Sequence, residues 1–368
     1  NYHQAKQVYK KILHLAPNHS DAQVNLAICH EYLNELDSAI SAYSKAIELD
    51  STKTEYLSYR SDSYILIGDT LKAENDLNKA LRMNDTAWTA YPRIAELYEA
   101  INRMDKAYDT YQKLIDLETT PIFELSQALN NQALILEELD KPKDAARNLT
   151  VIIDNFKDTL AEDAIAITYR NLGDLYFKKL DEPQKALETY RKSIELDPWE
   201  GTFKNLIDVY LSLGDTIEAL SVSDELLQLD RNPYNLSDKA DILFAYGAFT
   251  KAIDLYEESN INLIDSSDYS NLINWNTYKL AQSYWTLGRT KKAINQIDKT
   301  LKDQIALLDS SGISELYKIK SAILSELGKT NEASSSLQKA LEFYKSAELY
   351  IYLEYFYWEN NDTIGVRS

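Results

Sequence analysis

The sequence predicts an all-α chain built as an array of helix–turn–helix units. Three observations carry that expectation. First, turn-forming residues recur along the chain: Asn34, Gly68, Asn102, Asp140, Asp181, Gly214, Gly247, Gly288, Gly328 and Asn361. Gly, Asn and Asp are the residues that tolerate a left-handed backbone at a helix end. Second, five residues after each comes a small or short apolar residue: Ala39, Ala73, Ala107, Ala145, Ala186, Ala219, Ala252, Ala293, Ala333 and Val366. Their steps run from 33 to 41 residues, and such a period means repeats. Third, Gly and Pro number only 9 and 7 in 368 residues, which favours helices over strands.

The opening helix is predicted over Gln4 to Leu15, with Ala5, Val8, Tyr9, Ile12 and Leu15 at helical spacing and Pro17 as its stop. A second runs from about Ser20 to Leu33, with Leu26, Ala27, His30 and Leu33 on one face. Asn34 turns the chain, and Ala39, Tyr43, Ala46 and Leu49 mark the partner helix. Pro92 stands near the start of a first helix, where proline is tolerated. Aligned on the Ala positions, each first helix carries a large apolar residue followed by a small one, as in Ile94-Ala95, Leu172-Gly173 and Leu280-Ala281. Three residues further comes Tyr or Leu, as at Tyr98, Tyr176 and Tyr284. Each second helix carries Tyr or Leu four residues after its Ala, as at Tyr43, Leu77, Tyr111, Leu149, Tyr190 and Tyr256. Small residues let two helices approach, and the large ones fill the space beside the contact.

That pattern resembles the tetratricopeptide repeat (TPR) family. Asn171-Leu172-Gly173-Asp174-Leu175-Tyr176, then Lys185-Ala186-Leu187-Glu188-Thr189-Tyr190 and Leu196-Asp197-Pro198, follows it nearly residue for residue. The Asn-, Asp-, Lys-, Ile- and Tyr-rich wording resembles family members from AT-rich bacteria. The resemblance implies a right-handed superhelix over residues 1–368. A half repeat spans 1–17, nine full repeats span about 20–344 and a half repeat spans 346–368. There are departures. Ile207 replaces the small residue, and Ser223 the aromatic, around Gly214. Four steps of 38 to 41 residues place extra residues in Glu118–Asn130, Asp154–Ile167, Glu258–Asn274 and Lys302–Ile313, read as longer helices or loops.

Net charge is −19, from 58 acids against 39 Lys and Arg. Nucleic acid and anionic membrane surfaces are therefore poor partners, and a basic partner is a better one. No stretch is apolar enough to span a membrane. Cys29 is the lone cysteine, which suits cytoplasm or bacterial periplasm alike. No phosphate-loop, dinucleotide, nucleophile-elbow or zinc-protease motif occurs, and the four histidines His3, His14, His19 and His30 show no metal spacing. No catalytic residue, metal or cofactor is expected. The chain begins Asn-Tyr-His inside a helical pattern and stops as another helix starts, so further sequence is expected on both sides. The apolar stretch Leu349 to Trp358 is read as part of a further repeat.

The resemblance implies that first helices line a concave, peptide-binding groove. Asn25, Asn131, Asn171 and Asn205 precede the buried Leu position. A carboxamide there both donates and accepts, and so clamps a peptide unit. Asp62, Glu96, Asp174, Asp208 and Asp241 follow three residues on, where family members contact ligand. Arg170 and Lys204 lie four residues before Asp174 and Asp208, at helical pairing distance. Trp275, Tyr278, Gln282 and Trp285 form one helical stripe that alignment turns toward the groove. Trp88 and Trp199 are read as staples between units. Asp21, Glu55 and Thr89 stand where the carboxylate clamp of chaperone-binding members needs lysines, so that mode is not expected in the first units. The expected function is non-catalytic binding of a protein or extended peptide. The alternatives are an architectural subunit of a larger envelope or secretion-associated complex, and a recruiting arm of a longer enzyme or signalling protein.

Overall fold

The computed structural model describes residues 1–83, 88, 90–261, 263, 269–303, 305 and 308–359. Among them are twenty α-helices and no strand. The residues form two compact units that divide between Asp197 and Pro198.

In the first unit α1 (Tyr2–Leu15) precedes five antiparallel pairs. These are α2 (Ser20–Tyr32) with α3 (Leu36–Leu49), α4 (Glu55–Leu66) with α5 (Thr70–Met83), and α6 (Ala90–Ala100) with α7 (Met104–Ile115). Then come α8 (Ile122–Glu138) with α9 (Pro142–Phe156), and α10 (Glu162–Lys178) with α11 (Pro183–Leu196). The second unit has four pairs: α12 (Glu200–Ser212) with α13 (Thr216–Leu229), α14 (Pro233–Ala245) with α15 (Phe249–Ile261), α16 (Ser270–Thr286) with α17 (Thr290–Asp303), and α18 (Ser310–Glu326) with α19 (Thr330–Phe343). The helix α20 (Ala347–Glu359) follows them. Within each unit, helices pack on their pair partners and successive pairs pack on one another, the mode of a helical solenoid.

The turn residues do what their types allow. Asn34, Asn102, Asp140 and Asp181 take φ between 53° and 58°, and the five glycines at the same repeat position take φ between 69° and 81°. Asn361 and Val366, the last pair of the series, lie outside the described residues. The Ala of every described second helix, from Ala39 to Ala333, is fully buried. At Gly173 an added Cβ would stand 2.7 Å from the Tyr190 ring, so the small residue of a first helix is sized by the ring facing it. Tyr43, Tyr111, Tyr190 and Tyr256 are almost wholly buried at that contact.

The long steps are explained in large part by helix length. The first helices α8, α10, α16 and α18 have 17 residues each, against 11 to 13 in the other pairs. Added residues thus extend first helices at their N-terminal ends. In α20 Leu349, Phe356 and Tyr357 are buried while Tyr350, Ile351 and Tyr355 are exposed.

Candidate functional site

Two cavities lie along the first helices of the second unit. One, of about 320 Å³, is lined by Lys204, Ile207 and Asp208 of α12, Ser223 of α13, and Asp238 and Asp241 of α14. The other, of about 420 Å³, is lined by Asn274, Trp275 and Tyr278 of α16 and by Asp309, Gly312 and Glu315 at the start of α18. Polar side chains stitch these helices together. Lys204 bridges Glu200 and Asp238, each at 3.0 Å. The indole N–H of Trp275 donates to both carboxylate oxygens of Asp241, at 3.0 and 2.9 Å. Trp285 donates to Glu326.

Three of the expected charged residues therefore share one cavity: Lys204, Asp208 and Asp241. Burial pushes the Asp241 carboxyl up, against the bonds from Tyr256 and Trp275 that favour its charge. Burial works against the charge on Lys204 too, but its two carboxylates outweigh that and raise its pKa. The aromatic stripe divides. Trp275, 45% exposed, and Tyr278 line the second cavity, whereas half-buried Trp285 packs against the apolar core of α14–α18. The Tyr278 hydroxyl accepts from Gln282 at 3.0 Å.

The remaining expected residues are engaged within their own helices and neighbours. Asn131 donates to the Tyr111 hydroxyl at 3.1 Å, and Asn171 to Asn130 at 3.0 Å. Asp174 accepts from the Tyr190 hydroxyl and pairs with Lys178 at 3.2 Å. Arg170 is half-buried on α10, and Asn205 is half-buried on α12. Asp62 pairs with Arg93. His19 caps α2 by accepting from the Ala22 N–H, and His30 bonds Glu35. In the first unit a cavity of about 720 Å³ is lined by Lys10, Gln23, His30, Ser41 and Glu48, and no Phe, Tyr or Trp lines it among the described residues.

Residues 1–59, 90–121 and 166–198 each match a tetratricopeptide repeat family. The chain carries tetratricopeptide repeats in these three stretches. It is 25% identical over 230 residues to Hsp70-Hsp90 organizing protein 1 of Glycine max, a match that covers 61% of this chain and 38% of that one. It is 21% identical over 391 residues to a TPR repeat-containing protein of Methanocaldococcus jannaschii, covering 92% of this chain and 66% of that one. The chain thus spans well under half the length of the first relative and about two thirds of the second. Among solved structures it is similar to YrrB, described as a TPR protein with an unusual peptide-binding site, at 20% identity and a TM-score of 0.39; that match covers 54% of this chain and 96% of YrrB.

Within the TPR frame, two features of the site escape the repeat pattern. Asn274, Asp309 and Gly312 belong to the long-step segments, where alignment on the Ala positions gives no register, and Glu315 follows just after one. The run Asp309-Ser310-Ser311-Gly312 was the available signal, because Asp309 caps α18 by accepting from the Gly312 N–H at 2.6 Å. The second is the partnership of first-helix acids with second-helix tyrosines. At the first-unit position where a clamp lysine would stand, Asp21 accepts from Lys53 at 2.7 Å and from Tyr56. Thr89 lies outside the described residues.

Proposed function

We propose that this TPR protein is a non-catalytic binding scaffold, and that the first helices of residues 198–359 hold an extended, basic segment of a partner protein. The observation that supports this reading most is Trp275. Its ring is 45% exposed, yet its N–H is fixed by both oxygens of Asp241. An exposed indole held in one orientation before any partner arrives is a preorganised anchor, and aromatic anchors dominate protein interfaces. Acidic side chains flank it in both cavities, and the chain's charge of −19 favours cationic segments. The name of the Glycine max relative refers to organising two other proteins, which agrees with a scaffold. Asp21, Lys53 and Tyr56 occupy one another where a carboxylate clamp would begin, so the reading does not extend to that mode.

The test is a selection of displayed random peptides on the whole chain, followed by affinity measurement of a selected basic peptide. Trp275→Ala should weaken that peptide by at least about tenfold, the loss of one aromatic anchor. Wild-type affinity in Trp275→Ala and in Asp208→Asn would overturn the groove assignment.

A second reading rests on α20, which exposes Tyr350, Ile351 and Tyr355 on one helix. An architectural role predicts self-association through that face. Light scattering should then show mass rising with concentration, and Ile351→Lys with Tyr355→Lys should abolish the rise. A mass that stays monomeric at every concentration excludes it.

A further inference from the structure

The cavity between α16 and the start of α18 has a lining of one chemical character. Its charged residues are Asp309 and Glu315, and no lysine or arginine lines it among the described residues. Two rings, Trp275 and Tyr278, complete the wall. Asn274 adds the decisive atom. The residue is only 9% exposed. Its Nδ2 donates to Asp309 at 2.9 Å, and a carboxylate can only accept, so the orientation of the amide is fixed. The Oδ1 is then buried with no hydrogen-bond partner among the described residues. Buried acceptors left unpaired are rare, and each calls for an explanation. Gly312 is part of the same arrangement: a Cβ there would fall 1.9 Å from the Asn274 amide, so any side chain would displace it.

We infer that this cavity takes the guanidinium of an arginine on the partner segment. The inference rests on the groove reading above and adds the residue recognised and the atoms that recognise it. A guanidinium is planar, carries five donors and no acceptor, and stacks on aromatic faces. The cavity supplies two carboxylates and two rings, and its wall includes Asn274, whose buried carbonyl oxygen is orphaned. A lysine ammonium is a compact point charge that stacks less well and reaches fewer of these acceptors at once. The nearby cations do not fill the place. Lys318 pairs with Glu315 at 2.9 Å across an exposed turn of α18, a weak and displaceable contact. Lys279 sits 4.6 Å from the Trp275 ring centre and 4.2 Å from that of Phe244, and it does not line the cavity.

The test uses the whole chain labelled with 5-fluorotryptophan and read by fluorine NMR, the Trp275 signal being assigned with Trp275→Phe. The probes are the N-acetyl N-methylamides of arginine, lysine and citrulline, the last an uncharged near-isostere. The arginine probe should shift the Trp275 signal saturably, the lysine probe should bind about tenfold more weakly, and citrulline should leave the signal in place. Glu315→Gln, a surface change with little effect on folding, should weaken the arginine probe by about tenfold. Gly312→Ala should abolish its binding while the thermal transition remains cooperative. No arginine-dependent shift, or equal shifts from arginine and citrulline, would overturn the assignment. Selected peptides that need Trp275 but are indifferent to Glu315→Gln would remove the arginine assignment and leave the groove standing. Peptides indifferent to Trp275 would remove the groove itself.

Discussion

At the scale of single residues, Ile207 and Ser223 are two departures from the repeat pattern that line one cavity. Elsewhere a small first-helix residue faces a large one on the second helix: Gly173 faces Tyr190 in direct contact, and Ala240 and Tyr256 share one apolar cluster. In the α12–α13 pair the sizes are exchanged, with Ile207 on the first helix and Ser223 on the second, and both are buried. Ser223 turns its hydroxyl back to the Ala219 carbonyl at 2.8 Å, which removes its polarity from the contact. Ser223→Tyr alone should overpack the interface at a cost of about 1–3 kcal/mol. Ile207→Ala alone should leave a void costing about 2–5 kcal/mol. Made together they restore the common arrangement, so urea unfolding should reveal a favourable coupling of about 0.5–3 kcal/mol. Strict additivity would show that the two side chains do not share the space. Each residue stood out in the sequence as a departure. Their shared place on one cavity did not, because the repeat pattern aligns positions without showing which side chains lie together.

At the scale of helices, the repeat pattern located the partners but not the bonds between them. The turn positions, the buried Ala series and the aromatic positions were all readable, because each answers to a local requirement of backbone or volume. The acids were readable only as a row. In the structure Asp174 and Asp241 each accept a hydroxyl from the tyrosine of the following helix, Tyr190 and Tyr256. Such a bond depends on the rotation of two helices about one another, which spacing alone does not encode. Beside Asp208 the second helix carries Ser223, not tyrosine, at the corresponding position. The burial of Asp241 has a consequence for pH. Burial raises the Asp241 carboxyl above its ordinary value, so the folded chain holds that proton more tightly than the unfolded chain. Its contribution to stability is therefore complete below the ordinary Asp value of about 4 and is lost as pH rises through the folded value. Asp241→Asn cannot ionise, so the difference in unfolding free energy, wild type minus variant, should fall with rising pH across that window. Acids held by exposed cations, such as Asp21 beside Lys53 and Glu258 beside Arg231, are lowered and act in the opposite sense in both proteins. They cancel in the difference. A difference that is flat, or that rises with pH, would contradict the raised carboxyl.

At the scale of the whole molecule, charge is the property that length and repeats do not set. The chain carries 58 acidic and 39 basic side chains, and many of the basic ones are already committed to ion pairs along their own helices, as Lys192 is to Glu188 and Lys185 to Glu182. Surface pairs of this kind add little stability, but they leave the excess of carboxylates to set the field that an approaching partner meets. A basic segment should therefore be drawn in from beyond contact distance, at ranges near the screening length of about 10 Å in 0.1 M salt. Once docked, it is held by short-range contacts with Trp275 and the cavity walls, which salt screens far less. The two stages separate kinetically. Raising ionic strength from about 50 mM to about 500 mM should slow association of the selected basic peptide by about tenfold or more while changing its dissociation rate little. Stopped-flow measurement of both rates decides the matter. An association rate indifferent to salt would mean that the acidic surface serves solubility alone. A dissociation rate that climbs in step with salt would mean that exposed ion pairs, and not the aromatic anchor, hold the complex.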